Sequence, residues 1–136
     1  MSGSQHRITI QLDLSGYSFT IYDRNGAQTA QESHPCPVDL SVKELAQVLG
    51  KQFSVVSVYF TTWKYTLVPV SHYSKESPGM YLRSVRDIQP GDRILTLDMP
   101  SRKAVMVFAV PESIYSGLMA LNKNVRFYPT AYMLID

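Results

Sequence analysis

Between Ile8 and Tyr22 the chain alternates with hardly a fault. Ile8, Ile10, Leu12 and Leu14 take turns with Thr9, Gln11 and Asp13. Ser15-Gly16 interrupts, and then Tyr17, Phe19 and Ile21 take turns with Ser18, Thr20 and Tyr22. A period of two sends neighbouring side chains to opposite faces of a strand, so this stretch is extended and not helical. Two such runs around a short Gly-containing turn predict a β-hairpin with one apolar face. Asp23-Arg24-Asn25-Gly26 predicts a second turn, because Asn-Gly accepts positive φ. Ala27–Glu32 returns as a more polar third strand. The chain therefore opens on a three-stranded antiparallel meander.

His34-Pro35-Cys36-Pro37 should end the sheet, since each proline lacks a backbone donor. Ser41-Val42-Lys43-Glu44 has the pattern of a capping box, and Val42, Leu45 and Leu49 then follow helical spacing up to Gly50. A helix is expected over 42–52. Ser54–Thr61 is a continuous apolar run, as in a strand covered on both faces. Lys64–Val70 is a further strand. Helix in two pieces is expected between Ser71 and Ile88, with Ser77 as cap, Pro78 at the first position and Tyr81, Leu82 and Val85 as its buried stripe. Arg83 could then pair with Asp87 at i,i+4. After the Pro90-Gly91-Asp92 turn, Arg93–Asp98 and Lys103–Val110 form a hairpin. Pro111 opens a helix with Ile114, Leu118 and Leu121, closed by Asn122–Asn124. Val125–Ile135 is a last strand broken near Pro129. The order βββ-α-ββ-α-ββ-α-β is that of an α/β domain with a mixed sheet and helices on its faces. The meander and Val55–Phe60 should share that sheet, while later strands either join it or form a small inserted lobe.

Composition limits the function classes. At 136 residues, 45% hydrophobic and 18% charged, the chain has the makings of one globular domain. Thirteen Lys/Arg face eleven Asp/Glu, five against five in residues 1–68 and eight against six in residues 69–136, so neither half is a basic tail. Charge alone makes no case for nucleic acid. One cysteine allows neither an internal disulfide nor a multi-thiolate zinc site. No apolar run reaches the roughly 20 residues of a membrane span, and the N-terminus has no signal-peptide core. The expectation is a cytoplasmic chain with no membrane insertion.

Few residues suggest chemistry. Asp13-Leu14-Ser15-Gly16-Tyr17-Ser18 is a tight turn with an acid at its mouth. Its N–H groups could cradle a phosphate, and Asp13 could hold a metal-bound water; equally, it reads as an ordinary hairpin turn. Cys36 has His34 two residues before it, a spacing that rarely makes a nucleophile and base. The histidines, His6, His34 and His72, show no metal-ligand spacing. Arg83 and Arg86, with Lys75 upstream, read as a solvated face. Trp63 sits at an expected turn tip, where an exposed indole would be an interface anchor. The apolar end, Tyr132-Met133-Leu134-Ile135, marks Tyr132 and Leu134 as further interface candidates. No P-loop, Rossmann, GxSxG or HExxH pattern occurs, and no catalytic or metal-ligating set can be named.

The opening from Ile8 to Asp23 resembles the start of an actin-like ATPase domain. With Tyr65-Thr-Leu-Val-Pro69, the strand pair 93–98 and 103–110, and Val107-Phe-Ala-Val-Pro-Glu-Ser-Ile-Tyr115, it resembles more narrowly a bacterial domain-of-unknown-function family with that fold. It is also similar to the actin-like scaffolds of pilus assembly and type II secretion. The resemblance covers about residues 5–136. It implies a ribonuclease H-like, actin-like half-domain over 1–136, with a small inserted lobe around 62–110. In active members the first hairpin is a phosphate loop, and Asp13 and Ser18 correspond to it. Here Ser15 stands where a Gly is expected, Gly16 lies three residues after Asp13, and Tyr17 adds bulk near the tip. There is no Asp-x-Gly-Gly segment and no Gly-Gly pair. Asp13, Ser15, Gly16 and Ser18 thus form a phosphate-loop remnant; no cofactor is expected, Mg-ATP being the alternative that the remnant would take. The resemblance implies a non-catalytic interaction module whose partner is a protein, a second copy or a second half. A degenerate nucleotide-binding domain is the alternative. Single-stranded nucleic-acid binding through aromatics ranks below both, given the charge balance.

Overall fold

A computed structural model describes residues 6–49, 53–62 and 64–135. The chain divides into two compact units, residues 1–61 with 116–128, and residues 62–115 with 129–136.

The first unit is a five-stranded sheet. Its strands are β1 (His6–Asp13), β2 (Gly16–Tyr22), β3 (Gln28–Pro35), β4 (Phe53–Phe60) and β8 (Val125–Pro129), in the order β3-β2-β1-β4-β8. β1 pairs antiparallel with β2 and parallel with β4, and β2 pairs antiparallel with β3. The meander and the Val55–Phe60 strand thus share one mixed sheet, as expected. Ile8, Ile10 and Leu12 are buried with Phe19, Val56 and Val58 on the inner face. Helix α1 (Val38–Leu45) packs on β1 and β2. A Cβ at Gly117, in α3 (Glu112–Met119), would come within 2.9 Å of Val42 of α1, so glycine lets these two helices approach. The outer face carries Thr9, Gln11 and Asp13, none of them buried.

Several expectations need correction here. The turn is Leu14–Ser15, and Gly16 already belongs to β2, opposite Asp13. β3 runs through His34 to Pro35 instead of stopping at Glu32. Proline is tolerated because β3 lies at the edge, where one N–H row has no strand to feed. α1 starts one turn earlier than the capping-box pattern suggests, with Pro37 at its N-cap. Ser41 is a buried interior residue whose hydroxyl donates back to the Pro37 carbonyl, the bond that small hydroxyl side chains make inside helices. Gly50 lies outside the described residues. β4 is covered on one face only: Val56, Val58 and Phe60 are buried, whereas Val55 is 43% exposed. Its apolar run concealed an alternation.

The second unit holds a three-stranded antiparallel sheet, order β5-β7-β6, from β5 (Tyr65–Pro69), β6 (Asp92–Met99) and β7 (Ala104–Pro111). The 93–98 and 103–110 hairpin is therefore present. Helix α2 (Pro78–Arg83) packs on this sheet, and Leu82 joins Val68, Val105, Val107 and Ala109 in a buried cluster. Pro78 opens α2 as expected, but the Ser77 side chain makes no capping bond. The helix stops at Arg83, so Val85 is exposed and Arg83 and Asp87 are not on successive helical turns. The Tyr81 hydroxyl ties the segment down, accepting from the Ser74 N–H and donating to the His72 carbonyl. Lys64 Nζ meets Asp92 Oδ2 at 2.7 Å, with both side chains largely covered. Residues beyond Pro129 turn into the short helix α4 (Tyr132–Ile135) and do not continue as a strand. No described helix is long and apolar enough to cross a membrane.

Candidate functional site

The candidate site lies in the first unit, at the carboxyl end of β1, where the Leu14–Ser15 turn reverses the chain. The Ser15 hydroxyl and the Ser15 N–H both donate to Asp13 Oδ1 at 2.8 Å. The Ser15 hydroxyl, then its N–H, then the Gly16 N–H hold the Asp13 carboxyl below its ordinary value of 3.8 against a small opposing effect of burial. Asp13 is thus an ionised carboxylate that has turned its own loop's donors toward itself. The Ser15 carbonyl accepts from the Cys36 N–H at 3.1 Å, which anchors the turn to the end of β3.

Gly16 is needed for space and not for a left-handed backbone. A Cβ there would lie 2.6 Å from the His34 carbonyl oxygen and 2.9 Å from Pro35 Cα. The positive-φ glycine among the described residues is Gly26, in the Asp23–Gly26 turn. There the Asp23 carboxylate accepts from the N–H groups of Asn25 and Ala27.

The outer face beside this turn forms an open hollow of about 380 Å³, with Gln11, Asp13, Gly16, Ser18, Ser33 and His34 among its walls. Register explains the grouping. Gln11 sits opposite Ser18 on β2, and Ser18 opposite Ser33 on β3. On the other side Gln11 is paired with Tyr59 of β4, whose ring stacks on Tyr128 of β8 at 5.1 Å. Burial, and then the neighbouring Tyr128, raise the Tyr59 phenol above its usual range.

Tyr17 does not crowd the tip of the turn. It points inward, 6% exposed, and donates to Glu44 Oε1 of α1 at 2.7 Å. Its ring stacks on His34 at 5.2 Å, and His34 Nε2 meets Glu32 Oε1 at 2.8 Å. Cys36 shares a hydrogen bond with the Ser41 hydroxyl. His34 and Cys36 are therefore each engaged elsewhere and do not form a nucleophile and base. No group of three potential metal-ligating side chains occurs among the described residues.

The structure thus brings Asp13, Ser15, Gly16 and Ser18 together around one turn. It adds Gln11, Ser33, Glu44 and Tyr59, which the sequence reading did not single out as site residues. Gln11 was legible as a polar residue of an alternating strand; Ser33 and Tyr59 become its neighbours only through strand pairing. Of the interface candidates, Leu134 is 86% exposed, Tyr132 is half-buried, and Trp63 lies outside the described residues. Lys75, Arg83 and Arg86 are exposed.

This arrangement of a β3-β2-β1-β4-β8 sheet with the turn after β1 is an actin-like ATPase fold. A protein from Bacteroides thetaiotaomicron with an actin-like ATPase fold and unknown function superposes with a TM-score of 0.83 and 19% identity, over 98% of this chain and 55% of that one. The chain belongs to DUF3822, a family of proteins of unknown function, whose pattern matches residues 2–136. The cytoplasmic domain of EpsL, an inner membrane component of the type II secretion system of Vibrio cholerae, is more distantly similar. Its TM-score is 0.56 at 15% identity, over 91% of this chain and 57% of that domain. The chain spans little more than half the length of these two structures. None of the curated proteins matches it.

Proposed function

We propose that this chain is a non-catalytic interaction module, one half of an actin-like fold, which binds a protein partner, a second copy or a second half of comparable size. The observation that carries this reading is the span of the match: nearly all of this chain aligns with 55% of its neighbour. The turn after β1 supports it. Phosphate cradles work by aiming free N–H groups outward, whereas here the Ser15 N–H is spent on Asp13. Leu134, exposed in α4, is the residue through which we expect association, with Tyr132 and Trp63 as the other candidates. A cytoplasmic location belongs to the same reading, in keeping with the cytoplasmic EpsL domain. Light scattering coupled to size exclusion, alone and after affinity capture from a bacterial extract, tests it. A mass above 15.4 kDa that Leu134→Asp returns to that of the monomer is expected; a monodisperse monomer that captures nothing stoichiometric would sink the idea.

A degenerate nucleotide site is the second reading, favoured by the ionised Asp13 at the carboxyl end of β1. On that reading Asp13 holds Mg²⁺ through water, and Ser15, Gly16 and Ser18 touch phosphate. Mg-ATP would then raise the melting temperature, and Asp13→Ala would remove the shift.

A further inference from the structure

We propose that the hollow on the outer sheet face is a binding site for a neutral saccharide. Its charge argues against a free anion. Asp13 is the one carboxylate among the residues lining the hollow, none of which is Lys or Arg, and the lining imidazole, His34, is turned to Glu32. The N–H groups of Ser15 and Gly16 face the Asp13 carboxylate, so they do not form an anion nest. What the hollow does offer is neutral hydrogen-bonding capacity. The side chains of Gln11, Ser18 and Ser33 make no hydrogen bond to another described residue, and they stand side by side on three adjacent strands.

The dimensions suit a sugar. Neighbouring strands lie about 4.8 Å apart, so the row from Ser33 to Gln11 spans about 10 Å and reaches Tyr59 at about 14 Å. That is the length of one to two pyranose rings. Each member has its own chemistry: the Gln11 amide donates and accepts, the two hydroxyls do the same, and the Asp13 carboxylate accepts from sugar hydroxyls. The row ends on an aromatic pair, Tyr59 stacked on Tyr128. An aromatic surface takes the apolar C–H face of a pyranose while the polar row takes its hydroxyls. A phosphate-binding turn needs neither the amide row nor the tyrosines, and a protein-docking face would be more apolar at its centre than Gln11, Ser18 and Thr9. The proposal stands apart from the interaction reading, whose association residue, Leu134, lies in the other unit.

Amide chemical-shift mapping of the full chain tests it, using maltose, cellobiose and diacetylchitobiose as probes, with inorganic phosphate and Mg-ATP for comparison. At least one disaccharide should shift the Gln11, Ser18, Ser33 and Tyr59 amides saturably in the millimolar range. Gln11→Ala, at an exposed position that leaves the fold intact, should weaken that binding about tenfold. Tyr59→Leu should do the same while inorganic phosphate causes no displacement. The proposal is overturned if no disaccharide gives a saturable shift, if the shifts map elsewhere, if Gln11→Ala binds as well as the parent, or if phosphate or Mg-ATP displaces the sugar.

Discussion

Replacing Gly16 by alanine separates two reasons for a glycine at a turn. Gly16 has an ordinary strand backbone, but its missing Cβ would sit 2.6 Å from the His34 carbonyl oxygen and 2.9 Å from Pro35 Cα. Both obstacles are backbone atoms of β3, so no side chain can swing away. β2 and β3 must part by several tenths of an ångström at the end that Cys36 ties to the turn. Overpacking of this kind costs about 1–3 kcal/mol. Restricting the unfolded chain returns about 0.4–1 kcal/mol, which leaves a net loss of about 1–2 kcal/mol. With a urea dependence of about 1–3 kcal/mol per molar for a small domain, the unfolding midpoint should fall by about 1 M. Gly26 supplies the control. Its φ is 85° and nothing lies within 4 Å of its absent Cβ, so Gly26→Asn should be nearly neutral, since Asn enters the left-handed region readily. Gly16→Asn should be at least as harmful as Gly16→Ala. Urea unfolding followed by circular dichroism decides. An unchanged midpoint for Gly16→Ala, or a Gly16→Asn variant more stable than Gly16→Ala, would refute the close-approach argument.

Other outcomes follow from the same contacts. Tyr17→Phe keeps the ring but removes the bond to Glu44 and should cost about 1 kcal/mol in urea unfolding. The Tyr17 phenol is raised above its ordinary value of 10, by burial first and then by the Glu44 hydrogen bond. The folded state therefore holds this proton longer than the unfolded chain does. Its contribution is complete below pH 10 and is lost as pH rises beyond it, and Tyr17→Phe should flatten that alkaline slope. Asp13 has the opposite sign: its carboxyl is lowered, so its contribution holds above pH 3.8 and disappears as pH falls further, a slope that Asp13→Asn should remove from an acid titration. Asp92→Asn removes the charge from the largely covered Lys64–Asp92 ion pair and weakens the acceptor of the Gln89 N–H, and should cost about 1–3 kcal/mol by thermal or urea unfolding. Asn122→Ala removes one of the two amide donors to the Phe53 carbonyl, Asn124 Nδ2 being the other, and takes away the acceptor of the Asn124 N–H; it should cost about 1–2 kcal/mol in urea unfolding.

The hairpin and its faces were legible because strict alternation has one physical solution, and the structure places Ile8, Ile10 and Leu12 inward as that solution demands. Local competition defeated other readings. Ser41 and Glu44 have the spacing of a capping box, but Glu44 is engaged by the Tyr17 hydroxyl, from 27 residues away, and Ser41 bonds back to Pro37. Pro35 looked like a strand terminator, and only its place on the edge made it acceptable. Tyr132-Met133-Leu134-Ile135 is apolar throughout, a pattern too short to tell a strand from a single helical turn. At the site, the four turn residues are contiguous and could be named together. Gln11, Ser33 and Tyr59 could not, since their neighbourhood is created by a register that no local pattern encodes.

The sheet order also has a bearing on how the chain is made. β4 carries Phe-Ser-Val-Val-Ser-Val-Tyr-Phe, with neither charge nor proline, and its neighbour β8 comes more than sixty residues later. While the ribosome works through the second unit, β4 is an unsealed sheet edge of the kind that recruits other chains. Until β8 arrives, the exposed edge of β4 is therefore the stretch of the growing polypeptide most open to aggregation.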